Sequence, residues 1–162
     1  MQLIRLAPTD RKFHHATHKV IFDYNDIAAM GAVTTLTTAI FPVTGTFNAG
    51  QRVRLAGLNL VTPFDFSDAS INSLTLAIGD GNSTGRFIAA TQLAADGSYV
   101  SFYAANATTQ PYAYPIADTV DALFLCAGGA SPTLAECTSG KVEIYLWTDD
   151  LNLLENPVGS LT

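Results

Sequence analysis

The stretch "KVEIYLWTD" (141–149) puts Val142, Ile144 and Leu146 on one side of an extended chain and Glu143, Tyr145 and Trp147 on the other. A repeat of two suits a half-buried strand, because successive side chains of a strand point to opposite faces. The same alternation recurs along the chain. "INSLTLAIG" sets Leu74, Leu76 and Ile78 against Ser73, Thr75 and Ala77, and "QRVRLAGLNLVTPF" sets Arg52 and Arg54 opposite Val53 and Leu55. "AVTTLTTAIFPV" is rich in β-branched residues and stops at Pro42, where a ladder N–H is lost. With "KVIFDY", "RFIAATQL", "SYVSFYAA" and "TVDALFLCA" the candidates number about eight, separated by turn formers such as "PVTGTFNAG", "GDGNSTG", "AADGS", "ATTQP" and "GGASP".

Helical signals are confined to "YNDIAAMGA" (24–32), where Asn25 or Asp26 can cap one or two turns before Gly31. Strands without intervening helices cannot make βαβ crossovers, so the sheets are expected to be antiparallel. The fold expected is all-β: an antiparallel two-sheet sandwich, most simply a jelly roll of about eight strands. An immunoglobulin-type sandwich is the nearest competitor, but it calls for an inter-sheet cysteine spacing and a central tryptophan that are not found here. With 162 residues, 48% of them apolar and 14% charged, the chain has the size and composition of one domain with its own core. No apolar run reaches the roughly 18–20 residues of a membrane span. The opening "MQLIRLAPTDRKFHHATHK" turns polar after six residues without the apolar centre of a secretory signal. A soluble protein made in a cytoplasm is therefore expected.

Charge is unevenly placed. Residues 1–60 carry a balance of +3 and residues 61–162 one of −9, for a net −6. An acidic body argues against nucleic acid as a partner, since phosphate contact needs a basic face. The two cysteines, Cys126 and Cys137, lack metal-ligand spacing and read as reduced thiols near a hairpin loop, with a bridge closing that loop as the lesser option.

"TLAIGDGNSTGRFIAA" (75–90) is the stretch that most resembles a binding motif. A phosphate loop would need a helix after the glycines, and "RFIAATQL" is a strand candidate with no lysine before it. A calcium loop would take Asp80, Asn82 and Thr84 at positions one, three and five, but position twelve, which requires a bidentate Glu, is Thr91. A hairpin turn accounts for every residue, with glycines at positive φ and with Asp80 and Asn82 bonding back to the backbone. His14 and His18 are four apart and would share a metal on a helix, but no carboxylate or cysteine nearby completes a site. No nucleophile elbow or Cys/His pairing is present, and Asp118–Asp121 and Asp149–Asp150 read as solvated turn acids rather than glycosidase carboxylates. No catalytic, cofactor-binding or metal residue is assigned, and no cofactor is expected. Tyr99, Phe102, Tyr103, Tyr112 and Tyr114 are the best material for a sugar-stacking face, though alternating aromatics in strands also build cores and subunit contacts.

The segment "YAYPIADTVDALFLCAGGASPTLAECTSGKVEIYLWTDDL" resembles small structural proteins of tailed bacteriophages. The matching residues are Ala117 to Asp121, then Gly140, Val142, Ile144, Tyr145 and Leu151, and "LTLAIGDGNSTGRFIAATQL" is similar to the strand–GDG–strand unit of that family. The resemblance covers roughly residues 50–151 and implies a virion protein, closest to jelly-roll capsid decoration (cement) proteins. It implies a location on the capsid surface after synthesis in the host cytoplasm. The implied partners are the major capsid protein and the chain itself, as a homotrimer or homodimer, with no nucleic acid and no membrane. Residues 1–19 would then be an attachment arm and residues 20–162 the sandwich. In that arm Arg5, Arg11, Lys12 and Lys19 would complement an acidic capsid surface, with Leu3, Ile4, Leu6 and Phe13 as apolar anchors. Tyr145 and Trp147, on the outward side of their strand, would be covered by a neighbouring subunit. The alternative is a tail- or fibre-associated jelly roll that binds surface glycan.

Overall fold

A computed structural model describes residues 1–6, 16–42, 45–94, 102–103 and 111–149. Ten strands are formed among the described residues: β1 (Gln2–Arg5), β2 (His18–Asp23), β3 (Thr35–Phe41), β4 (Arg52–Phe66), β5 (Ser73–Asp80), β6 (Ser83–Gln92), β7 (Phe102–Tyr103), β8 (Tyr112–Ala113), β9 (Val120–Ala127) and β10 (Cys137–Thr148). One short helix, α1 (Tyr24–Ala28), and a 3₁₀ turn at Leu134–Glu136 complete the described elements. Seven of the eight expected strands are found where the sequence placed them, and of the eighth, "SYVSFYAA", the part among the described residues is β7. β1 and β8 were not foreseen, being too short to show a period.

The strands form two antiparallel sheets, as an all-β sandwich requires. One runs β1-β2-β10-β4, with β7 and β8 both paired to β4, and the other runs β3-β9-β5-β6. Four levels of the pairing are nested in sequence. The hairpin β5·β6 is innermost in sequence; around it lie β4 with β7 and β8, then β3·β9, then β2·β10. Successive pairs of the nest fall in alternate sheets, so the chain is a long folded ribbon wrapped into two layers.

Inner faces meet as the alternation predicts. Val20, Phe22, Leu58, Val142, Ile144 and Leu146 come from one sheet, and Ile40, Leu74, Leu76, Ile78, Ala122 and Phe124 from the other, all buried. Phe22 and Phe124 touch edge to face across the layers with ring centres 5.0 Å apart. An aromatic series, Phe41–Phe47–Tyr114–Tyr112, continues the core toward one end of the sandwich. In the long β4, Pro63 falls where the ladder with β10 skips from Ser139↔Asp65 to Lys141↔Thr62, so its missing N–H breaks no bond. Gly140, at φ +131°, lies opposite, and a Cβ there would sit 2.2 Å from the Phe64 ring.

The helix is one turn long, as its early glycine dictates, but its cap is Asp23 rather than Asn25 or Asp26. The Asp23 carboxylate accepts the backbone N–H of Asn25 (2.9 Å) and Asp26 (3.2 Å), and Asp26 returns the favour to the Asp23 N–H (3.0 Å).

Residues 2–6 depart from the expected free arm. Gln2–Arg5 is the edge strand of the larger sheet, with Leu3 opposite Val20 and Arg5 opposite His18. The Leu6 N–H continues the ladder to the Thr17 carbonyl at 2.9 Å, and Leu6 is buried. The reason is nonlocal: β2 exposes an edge whose backbone groups need partners, and residues 2–6 satisfy them. Arg11, Lys12 and Phe13 lie outside the described residues.

Candidate functional site

Chemistry-bearing side chains gather in two places. The first is the end of the sandwich where β5 turns into β6. Asp80 is the last residue of β5 and its side chain is fully buried. Its Oδ1 accepts the N–H of Asn82 (3.0 Å) and of Ser83 (2.8 Å), which forms the turn, and also Nη2 of Arg86 (3.2 Å). Its Oδ2 takes the Nε of Arg86. The guanidinium lies 4.1 Å from the centre of the Tyr112 ring, adding a cation–π contact, and the bond to Asp80 raises its already high pKa further.

From the segment between β8 and β9, Asp118 closes over the turn. It accepts the Gly81 N–H at 3.4 Å, the Asn82 side-chain amide at 3.2 Å and the Thr119 N–H at 2.8 Å. Asp121 accepts the Thr119 hydroxyl at 2.6 Å, and Tyr114 donates to the Thr119 carbonyl at 3.1 Å. Burial, opposed by the Thr119 bond and reinforced by Asp118 and Asp80, pushes the Asp121 carboxyl above the usual range. Burial likewise raises Tyr114.

This arrangement holds the β5–β6 hairpin turn against the connection from β8 to β9. The carboxylate oxygens of Asp80 are engaged by the turn amides and Arg86, and no group of three His, Cys, Asp or Glu that could hold a metal ion occurs among the described residues. The turn is therefore a hairpin with Asp80 bonding back to the backbone, as expected, but its glycines differ in role. Gly79, Gly81 and Gly85 are not among the positive-φ glycines. Gly79 is required because a Cβ would lie 1.9 Å from the Ser83 carbonyl oxygen; it permits a close backbone approach. Asn82 bonds across to Asp118 rather than to its own backbone.

The second place is the outer face of the larger sheet. Glu143 accepts Lys19 Nζ at 3.0 Å on one oxygen, and the Tyr145 hydroxyl at 2.7 Å and Asn59 amide at 3.4 Å on the other. Despite its burial, these bonds hold the Glu143 carboxyl below its ordinary range. Tyr145 is only 4% exposed, and it packs with Leu6, Ala16 and Ala56. A register shift between Tyr145 and Leu146, paired with Gly57 and Leu55, leaves Ala56 over as an extra residue. The cover expected for Tyr145 from a neighbouring subunit comes instead from its own chain. Trp147 is half-buried, with the Arg54 guanidinium 5.5 Å from its ring centre.

The remaining sequence candidates are dispersed. His18 is in a strand, facing the core, so the helical spacing that would join it to His14 does not arise; His14 and His15 lie outside the described residues. Cys126 and Cys137 are free, buried thiols, and burial pushes Cys137 up to about 12, leaving it protonated at neutral pH. Asp149 pairs with Arg52 at 2.5 Å. Tyr114 belongs to the core and Tyr112 lies against Arg86, so neither offers an open stacking face; the side chains of Tyr99, Phe102 and Tyr103 lie outside the described residues. Sequence reasoning missed Arg86 and Asp118 as partners of the turn. Arg86 had a local signal, since six residues after Asp80 it stands near it once the chain reverses. Asp118 had none.

Comparison with protein-family models, with curated proteins and with solved structures finds no match to this chain.

Proposed function

We propose that the protein is a capsid decoration (cement) protein of a tailed bacteriophage, a jelly roll that binds the outer surface of the shell and stabilises it. The nested order of four strand pairs in alternate sheets supports the jelly roll. A fold alone selects no function. The observation that carries the functional reading is how the start of the chain is mounted. Leu6 and Ala16 both sit in the cluster on the outer face of the larger sheet, so the residues flanking the segment with Arg11, Lys12 and Phe13 are anchored at one place. A basic segment tethered at both ends to an acidic sandwich suits an acidic partner surface repeated many times, as on a capsid. Each ion pair there contributes only about 0.2–1 kcal/mol, so attachment rests on repetition and on the apolar anchor Phe13.

The test uses shells assembled from the major capsid protein encoded in the same genome. Full-length protein is expected to co-sediment with them and raise their melting temperature. A variant carrying Arg11→Glu, Lys12→Glu and Phe13→Ala keeps β1 and Leu6, so it is expected to fold as wild type and lose binding. Binding of the variant at the wild-type level would refute attachment through this segment. A wild-type protein that ignores the shells would refute the decoration function itself.

A further inference from the structure

Four strand edges are open to solvent in a sandwich of this kind, and they are not alike. β1 is four residues long and carries Arg5, β7 and β8 are two residues each, and β6 carries Arg86 and pairs irregularly with β5. Each is short, charged or bulged, the usual protections against edge pairing. β3 has seven residues, TLTTAIF, with no charge and no proline, and among the described residues it is bonded to β9 alone. Its register is regular from Thr35 to Ala39. Between Asp26 and Arg52 the chain has no charged residue at all. Beside this edge Leu36 and Thr38 border an open groove of about 320 Å³ shared with Phe22, Met30, Met1 and Asp26, whose carboxylate is neutralised by the Met1 ammonium.

We propose that the edge of β3 is an interface for a second copy of this chain, the two β3 strands pairing antiparallel about a two-fold axis. The two four-stranded sheets then become one continuous sheet. Charge selects the occupant. Copies of a chain with net charge −6 repel wherever their acidic surfaces meet, and this neutral edge is where they approach without opposing like charges. The pattern of β3 is also self-complementary. With the axis at Thr37, Thr37 faces its own copy, Thr35 faces Ala39, and Leu36 faces Thr38. Threonine pairs across antiparallel strands are favourable, and the partner's Leu36 adds apolar surface at the mouth of the groove beside Met30. An isologous contact of this sort closes at two copies. The inference is independent of capsid binding, and it moves the expected self-contact from Tyr145 and Trp147 to the opposite sheet.

Sedimentation equilibrium on the full chain tests it. Wild type is expected to be dimeric at micromolar concentration, and Thr37→Lys, which sets two ammonium groups face to face on an exposed position, to weaken the dimer about a hundredfold. Circular dichroism checks that the variant is folded. As a second readout, Thr37→Cys is expected to form a disulfide-linked dimer on mild oxidation, while wild type, whose own thiols are buried, does not. A monomeric wild type at high micromolar concentration, a dimer indifferent to Thr37→Lys, or no cross-link through Thr37→Cys would each overturn the proposal. So would a wild type that is monomeric alone and takes up an extended strand from another protein.

Discussion

Lowering the pH from 7.5 to 5 protonates His18 in the unfolded chain well before it does so in the folded one. His18 points inward from β2 and is 3% exposed, with its ring centre 4.6 Å from that of Phe41. Its Nδ1 lies 2.9 Å from the Thr17 hydroxyl, which also receives the Thr148 N–H and reaches the Leu146 carbonyl. The hydroxyl has one proton, and giving it to Leu146 leaves Nδ1 of His18 as a donor, so the neutral Nδ1–H tautomer satisfies all partners. Burial, reinforced by the nearby positive charge of Arg5, lowers the histidine from 6.5 to about 4. The folded pKa is depressed, so the unfolded state binds the extra proton and stability falls with pH between these values. Linkage over that interval gives a loss of about 2 kcal/mol by pH 5 and about 3 kcal/mol by pH 4. Urea unfolding followed by circular dichroism at fixed ionic strength measures it. A loss of about 2 kcal/mol moves the midpoint by about 1 M at a typical slope for a chain of this size. Asp121, pushed upward by burial, works with the opposite sign at the acid end, since it takes up its proton in the folded state first. The His18→Leu variant isolates the histidine: it retains apolar volume against Phe41, and its stability is expected to stay level from pH 7.5 to 5 apart from what other groups contribute to both proteins. Equal losses in wild type and variant would refute the argument.

Arg86→Met removes the counter-charge of a fully buried carboxylate and is expected to cost about 3–5 kcal/mol, read as a fall in melting temperature; a neutral effect would mean that Asp80 is not sealed from water. Leu6→Ala strips the cover from Tyr145 and is expected to cost about 2 kcal/mol in thermal unfolding, whereas a free N-terminal arm would tolerate it without loss.

The strands, the all-β class and most of the core were legible in the sequence because a period of two is a local property of each segment. Val142, Ile144 and Leu146 need no knowledge of the rest of the chain to be assigned to one face. The Asp80 turn was legible for the same reason, since its bonds to Asn82 and Ser83 span two and three residues. What the tertiary structure decided is who stands opposite whom. Tyr145 looked uncovered because its cover, Leu6, is far away in sequence. The first residues looked like an arm because four residues show no period, although an open edge of β2 was waiting for them. Asp118 looked like a solvated acid because the turn it braces, between β5 and β6, is far away in sequence. In each case the deciding force is the need of a backbone edge, a large aromatic or a buried polar group for a partner. That need can be read from the residue alone, but the partner is chosen only when distant segments are brought together.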